Sequence, residues 1–188
     1  MTDTITGMRT EHTNLLKLLY VLQRQMEIFA AGANPGFDLM QDILDYNTNY
    51  FERVHHSKEE TMMAHLARQA HELQPDIARI HEEHEQISQL THKLTGTLDD
   101  IIIGSSMTPR ESVVNMIQEF INLNREHIRH EEQVIFPAAI KNLKDKHWQE
   151  IEESVPADDD PLFGKEVKDQ YQNLYQSIME ENTASTSE

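Results

Sequence analysis

The sequence predicts an all-α protein: an up-down-up-down four-helix bundle with an internal pseudo-twofold repeat, and short C-terminal helices packed outside it. Three observations carry that expectation. Only six Gly and six Pro occur in 188 residues, which leaves room for long, uninterrupted helices. Apolar residues recur at alternating spacings of three and four, the seam of a bundle helix. One polar pattern also occurs twice: Glu11-His12, His55 and Glu59 return 72 residues later as Glu83-His84, His127 and Glu131. Matches at a single offset are the signature of an internal repeat.

The first helix should span about Asp3 to Ala31, with Ile5, Met8, Leu15, Leu19, Leu22, Met26 and Phe29 on its buried stripe. His12 fills the slot between Met8 and Leu15, where an imidazole needs a partner or a metal. Gly32-Ala-Asn-Pro-Gly36 breaks the chain. A second helix, about Phe37 to His71, carries Met40, Leu44, Phe51, His55, Glu59, Met62 and Leu66 inward. Pro75 suits the first turn of a third helix, whose seam of Ile77, Ile80, His84, Ile87, Leu94, Leu98 and Ile101 repeats that of the first. Thr108-Pro-Arg-Glu111 reads as a capping box opening a fourth helix. Its stripe is Met116, Phe120, Leu123, His127, Glu131 and Val134, and Pro137 should kink or end it.

Residues 1–144 are thus assigned to the bundle and 145–180 to a helical extension, with 181–188 a disordered acidic tail. The extension comprises an amphipathic helix near Lys146 to Ser154, an acidic loop from Pro156 to Pro161, and a last helix over about Lys165 to Met179. That helix presents Val167, Tyr171, Leu174, Tyr175 and Ile178.

A net charge of −17 repels a nucleic-acid backbone, so nucleic acid is not expected as a partner. Cysteine is absent, which excludes disulfides, thiolate metal sites and cysteine nucleophiles together. The N-terminal residues lack a basic segment followed by an apolar run, and the longest aliphatic run is Ile101-Ile-Ile103. The expectation is a cytoplasmic protein without a membrane partner, monomeric or a weak homo-oligomer.

In such a bundle the repeated residues converge at one depth. His12, His55, Glu59, His84, His127 and Glu131 form two facing half-sites, and His56, beside His55, is the leading candidate for a fifth histidine. His81 and His130 are its rivals. Position 128, the counterpart of His56, is Ile128, so two bound metals would be inequivalent. Nitrogen and carboxylate ligands suit Fe, Zn, Cu, Ni or Mn, and Glu59 and Glu131 are placed to bridge two ions. Two six-coordinate ions would then keep about one position open, the layout for a small ligand. Glu60 and Glu132 read as solvated groups or groups that orient the ligands. His65, His71, His92 and His147 read as surface residues, and Met62, Met63, Tyr46 and Tyr50 as packing. A ferritin-like site needs two Glu-x-x-His pairs, and only Glu52-Arg-Val-His55 is present.

These motifs resemble the hemerythrin-like, or HHE, cation-binding family, above all His-x-x-x-Glu-Glu-x-x-x-Phe-Pro at 127–137. The segment Asp160-Pro-Leu-Phe-Gly164 with Tyr171 to Ile178 also resembles the C-terminal extension of a bacterial subgroup. The resemblance implies a non-haem, carboxylate-bridged di-iron centre, with Mn or Zn as substitutes, held by His12, His55, His56, Glu59, His84, His127 and Glu131. It implies binding of O₂, NO, peroxide or iron itself, for sensing, storage or stress response. The alternative is an enzyme that reduces peroxide or NO, or turns over oxygen, with an external electron donor. Two features depart from oxygen-carrying hemerythrins: the third helix lacks His-x-x-x-His, and Glu131 stands four residues after the last histidine where those have Asp five after. Repair of iron–sulfur clusters is a third possibility, ranked last because relatives of that kind typically carry a small cysteine-bearing N-terminal domain and this sequence has no cysteine.

Overall fold

The computed structural model describes residues 2–154 and 160–185, and no strand occurs among them. Four long helical rods form the bundle. The first is α1, Thr2–Ala30. The second joins α2, Phe37–Tyr46, to α3, Ser57–Gln69, through a π-helical segment, Asn47–His56. After a 3₁₀ turn at His71–Leu73 the third is α4, Gln74–Ile102, with Pro in its first turn. The fourth runs from α5, Arg110–His130, through a second π segment, Glu131–Ile135, into α6, Phe136–Asn142.

Cross-helix hydrogen bonds show each neighbouring pair running in opposite directions. Gln25 and Glu11 of the first rod meet Gly36 and His55 of the second, while Gln41 and Glu60 of the second meet Asp99 and His84 of the third. Glu83 and Asp76 meet His127 and His130 of the fourth rod, which returns to the first through Arg125–Gln23 and Glu132–Arg9.

The buried interior is two apolar clusters. One gathers Leu15, Leu19, Phe51, Val54, Ile87, Phe120 and Ile128, and the other Ile5, Met8, Met62, Leu66, Ile80, Ile135 and Phe136. On the first three rods the candidate ligands fall between the residues of the two clusters, and on the fourth they run from His127, beside Ile128 of the first cluster, to Glu131, ahead of Ile135 of the second. The polar layer therefore partitions the core.

Several sequence expectations need correction. Thr108 forms no capping box: the fourth rod starts at Arg110, and Pro109 before it has an extended ψ of 141°. The Arg110 guanidinium lies 4.9 Å from the centre of the Phe29 ring, a cation–π contact that fixes this start by packing. The rod's buried stripe is Val113, Ile117, Phe120, Asn124, His127 and Glu131, leaving Met116, Leu123 and Val134 half-buried. The seam was misplaced because one member is polar. Asn124 is buried, and its Nδ2 donates to the Phe120 carbonyl at 2.8 Å. Nor does Pro137 end the rod. A proline ring clashes with the carbonyl four residues back, and the wider π turn just before α6 absorbs that conflict.

The extension is more deeply integrated than an outer layer. In α7, Asp145–Glu153, Trp148 and Ile151 are buried in the second cluster, and Leu162, Tyr171, Leu174 and Ile178 are buried in the first. Asp160 ties its loop down, accepting from the Leu162 and Phe163 amides at 2.9 Å each and from the Tyr46 hydroxyl at 3.0 Å. Tyr171 donates to Asp45 at 2.6 Å. The last helix begins later than expected: a 3₁₀ turn, Asp169–Tyr171, leads into α8, Gln172–Ser185. Residues 181–185 thus continue the helix and are not a coil tail. Residues 186–188 and 155–159, the latter holding most of the acidic loop from Pro156 to Pro161, lie outside the described residues. His147 is buried and not a surface residue, because its Nδ1 accepts from the Lys144 amide at 3.2 Å and its ring stacks on His65.

Trp148 is the single tryptophan and is 1% exposed. Trp148→Ala should cost roughly 3–5 kcal/mol of stability, measured by denaturant unfolding followed by circular dichroism. A cost near zero would mean that α7 does not share the bundle's core.

Candidate metal centre

Two groups of side chains converge in the polar layer: His56, Glu59, His84 and His127, and His12, His55, Glu59 and Glu131. Within each, the ligand-capable atoms lie within 4.8 Å of one another, and Glu59 belongs to both. Glu59 Oε1 is 2.8 Å from His55 Nε2, while its Oε2 is 3.4 Å from His84 Nε2. One carboxylate thus spans the two halves. Glu131 Oε2 does the same from the other side, 3.2 Å from His12 Nε2 and 3.3 Å from His127 Nε2. The structure therefore brings together all seven residues expected from sequence. His81 and His130 are left out: His81 is exposed, and the Nε2 of His130 pairs with Asp76 at 2.9 Å.

Local helix geometry explains how His55 and His56 both reach the interior. They close the π segment, whose five-residue hydrogen-bonding step widens the turn. Both are buried, and His56 stacks on His84 with ring centres 3.9 Å apart.

The other four histidines each place Nδ1 on a carboxylate oxygen: His12 on Glu132 (3.1 Å), His55 on Glu11 (2.6 Å), His84 on Glu60 (2.9 Å) and His127 on Glu83 (3.2 Å). Burial raises the Glu11, Glu60 and Glu83 pKa values, but their histidine and cationic partners outweigh it and hold all three below the ordinary carboxylate range. Glu132 is lowered chiefly by its hydrogen bond with His12. An ionised carboxylate only accepts, so each Nδ1 is the donor. Every Nε2 is then turned inward.

The donor set fits a cation. Glu59 Oε1 and Oε2, Glu131 Oε1 and Oε2, and the Nε2 atoms of His56, His84 and His127 are buried without a hydrogen-bond partner. Such atoms are costly unless something compensates them. Protons compensate in part when no metal is bound. Burial opposes charging of His84, but Glu59 and Glu60 hold its pKa up at about 10, and carboxylates likewise raise His12 and His55. Burial and the neighbouring histidines push His56 well below the usual imidazole range, keeping a free lone pair. Glu59 is held well below the carboxylate range, its burial outweighed by His55, His12 and His84.

Sequence reading recognised Glu11 and Glu83 as part of the repeat but gave them no role. Their position immediately before His12 and His84 was the available signal. It also missed the aromatic flanks, Phe51 stacked on His55 at 4.2 Å and Phe136 on His12 at 5.2 Å. Tyr46 is turned away to Asp160.

Buried imidazoles and carboxylates, gathered from all four rods at one depth with seven of their nitrogen and oxygen atoms lacking a hydrogen-bond partner, define a metal-binding helical bundle. More specifically, residues 3–139 match the hemerythrin HHE cation binding domain, and the chain belongs to that family. No curated protein and no solved structure gave a significant match. No described helix is long and apolar enough to cross a membrane.

Stripping the metal should lower the melting temperature, because bound cation stabilises only the folded state. At saturation about a thousandfold above Kd the effect is about 4 kcal/mol, or roughly 8–16 °C for a chain of this size. Calorimetry before and after chelation measures it, and an unchanged melting temperature would contradict a buried site.

Proposed function

We propose that the chain is a non-haem di-iron protein that takes up a small ligand of the O₂, NO or peroxide class. The observation that carries this reading is the unequal division of buried histidines about Glu59, three on one side and, on the other, only His12 and His55, which meet Nε2 to Nε2 at 2.9 Å. His56, His84 and His127 would hold one ion and His12 and His55 the other, with Glu59 and Glu131 between them. The side with two histidines has fewer protein donors, which leaves it room for an exogenous ligand.

Bound iron would supply a redox-active Lewis acid able to bind a diatomic or peroxide. The chain supplies the enclosure. Phe51 and Phe136 wall His55 and His12 with aromatic carbon, and His12, His55, Glu59 and Glu131 are at most 2% exposed. Such a surround excludes bulk water and favours a small neutral ligand over a hydrated one. Glu59 and Glu131 each contact histidines of both halves, so they would help hold both ions.

Protein loaded with iron should contain about two iron per chain, since seven donors exceed what one ion accommodates. Glu59→Ala or Glu131→Ala should lower occupancy at both positions, whereas His12→Ala should leave a form with one metal. Metal-to-protein ratios and the charge-transfer bands of the azide adduct report each case. One iron in the parent protein, or zinc alone after iron-supplemented expression, would overturn the reading.

A further inference from the structure

The four outer carboxylates form a closed circuit. Glu11 of the first rod accepts from His55 of the second, and Glu60 of the second accepts from His84 of the third. Glu83 of the third accepts from His127 of the fourth, and Glu132 of the fourth returns to His12 of the first. Each bond crosses one helix–helix boundary, all four boundaries are crossed, and every rod gives one carboxylate and receives one. The sequence repeat generates the circuit: Glu-His at 11–12 and 83–84, and the Glu-Glu pairs at 59–60 and 131–132, whose second glutamates stand outside.

Each outer carboxylate is held from the solvent side in turn. Lys58 donates to Glu11 at 2.8 Å, Arg79 to Glu83 at 2.7 Å and Arg9 to Glu132 at 2.8 Å, while His81 Nδ1 lies 2.9 Å from Glu60. No such hydrogen bond is described for His56, which is held by packing against His84, Phe51 and His127.

We infer that Glu11, Glu60, Glu83 and Glu132 are positioning residues: a ring of interhelical braces that fixes four histidines with Nε2 inward and raises their donor strength, leaving His56 as the unbraced, weakest-held ligand. This rests on the metal-centre reading above. A carboxylate taking the Nδ1–H sets the tautomer and ring orientation and makes Nε2 more basic, which tightens binding and favours the more oxidised metal. Because each brace joins two rods at the depth of the site, the site's geometry and the closure of the bundle are one constraint. His56 keeps its orientation by burial alone and should be the first donor to let go.

The test uses Glu11→Gln and Glu83→Gln, which keep shape and a hydrogen-bond acceptor but remove the charge, with the exposed Glu126→Gln as control. Circular dichroism confirms that each variant is folded. Zinc-loaded protein gives the histidine tautomers by ¹⁵N–¹H NMR, zinc competition gives affinity, and iron-loaded protein gives the midpoint potential. The parent should show four Nδ1–H imidazoles bound through Nε2. Glu11→Gln should move the His55 signal and Glu83→Gln the His127 signal, each with a loss of zinc affinity of roughly 10–100-fold and a higher midpoint potential. The control should change nothing. Affinities within about twofold of the parent, with unmoved tautomers and potential, would overturn the ring. If the parent binds fewer than two irons, the di-iron reading fails, while the zinc tautomers and affinities still decide whether the braces act.

Discussion

Everything in this bundle answers to one constraint: two carboxylates, Glu59 and Glu131, are fully buried in the middle of a helical core. Burying a carboxylate without compensation is far more costly than any single apolar contact is favourable. The structure surrounds them with imidazoles, four of which have their outer nitrogens on carboxylates, so that at those four positive charge, as protons or as metal, is supplied from inside. The polar layer that results splits the apolar interior into two clusters. Each cluster alone is the core of half a bundle, and the layer between them is where the four rods must agree in depth.

That agreement explains the local irregularities. A regular α-helix turns successive residues by about 100°, which spreads His55 and His56 over adjacent faces. The π segment Asn47–His56 ends at this pair, and the second π segment begins at Glu131. Both departures from α geometry therefore abut the layer, in keeping with the tendency of π turns to occur at functional positions. The second one also lets the fourth rod continue past Pro137 into α6, which carries Phe136 onto His12.

Much of this was legible in the sequence because the repeat and the seam are local patterns. The 72-residue offset placed His12, His55, Glu59, His84, His127 and Glu131 together without any knowledge of packing. Illegible features were those in which tertiary contacts outweigh local preference. A capping-box motif at Thr108 gave way to the Arg110–Phe29 contact, and the seam of the fourth rod was misassigned because buried Asn124 looks like a surface residue. His147 deceived in the same direction, since a histidine that caps its own helix can be buried. The start of α8 was masked by apolar Val167, which packs on the core from outside any helix.

The repeat is informative also where it fails. His56 and Ile128 are equivalent positions, both buried, one against His84 and the other in the apolar cluster. An isoleucine there shows that the position suits hydrocarbon, and an apolar residue at 56 would add burial without a desolvation penalty. Keeping an imidazole instead leaves Nε2 unpartnered among His84, His127 and Glu59. Stability alone does not favour that choice, whereas a third nitrogen donor for one half of the centre does. One substitution between the two repeats thus makes the two groups of donors unequal, and on the proposed di-iron reading that inequality would direct an incoming ligand to the His12–His55 side.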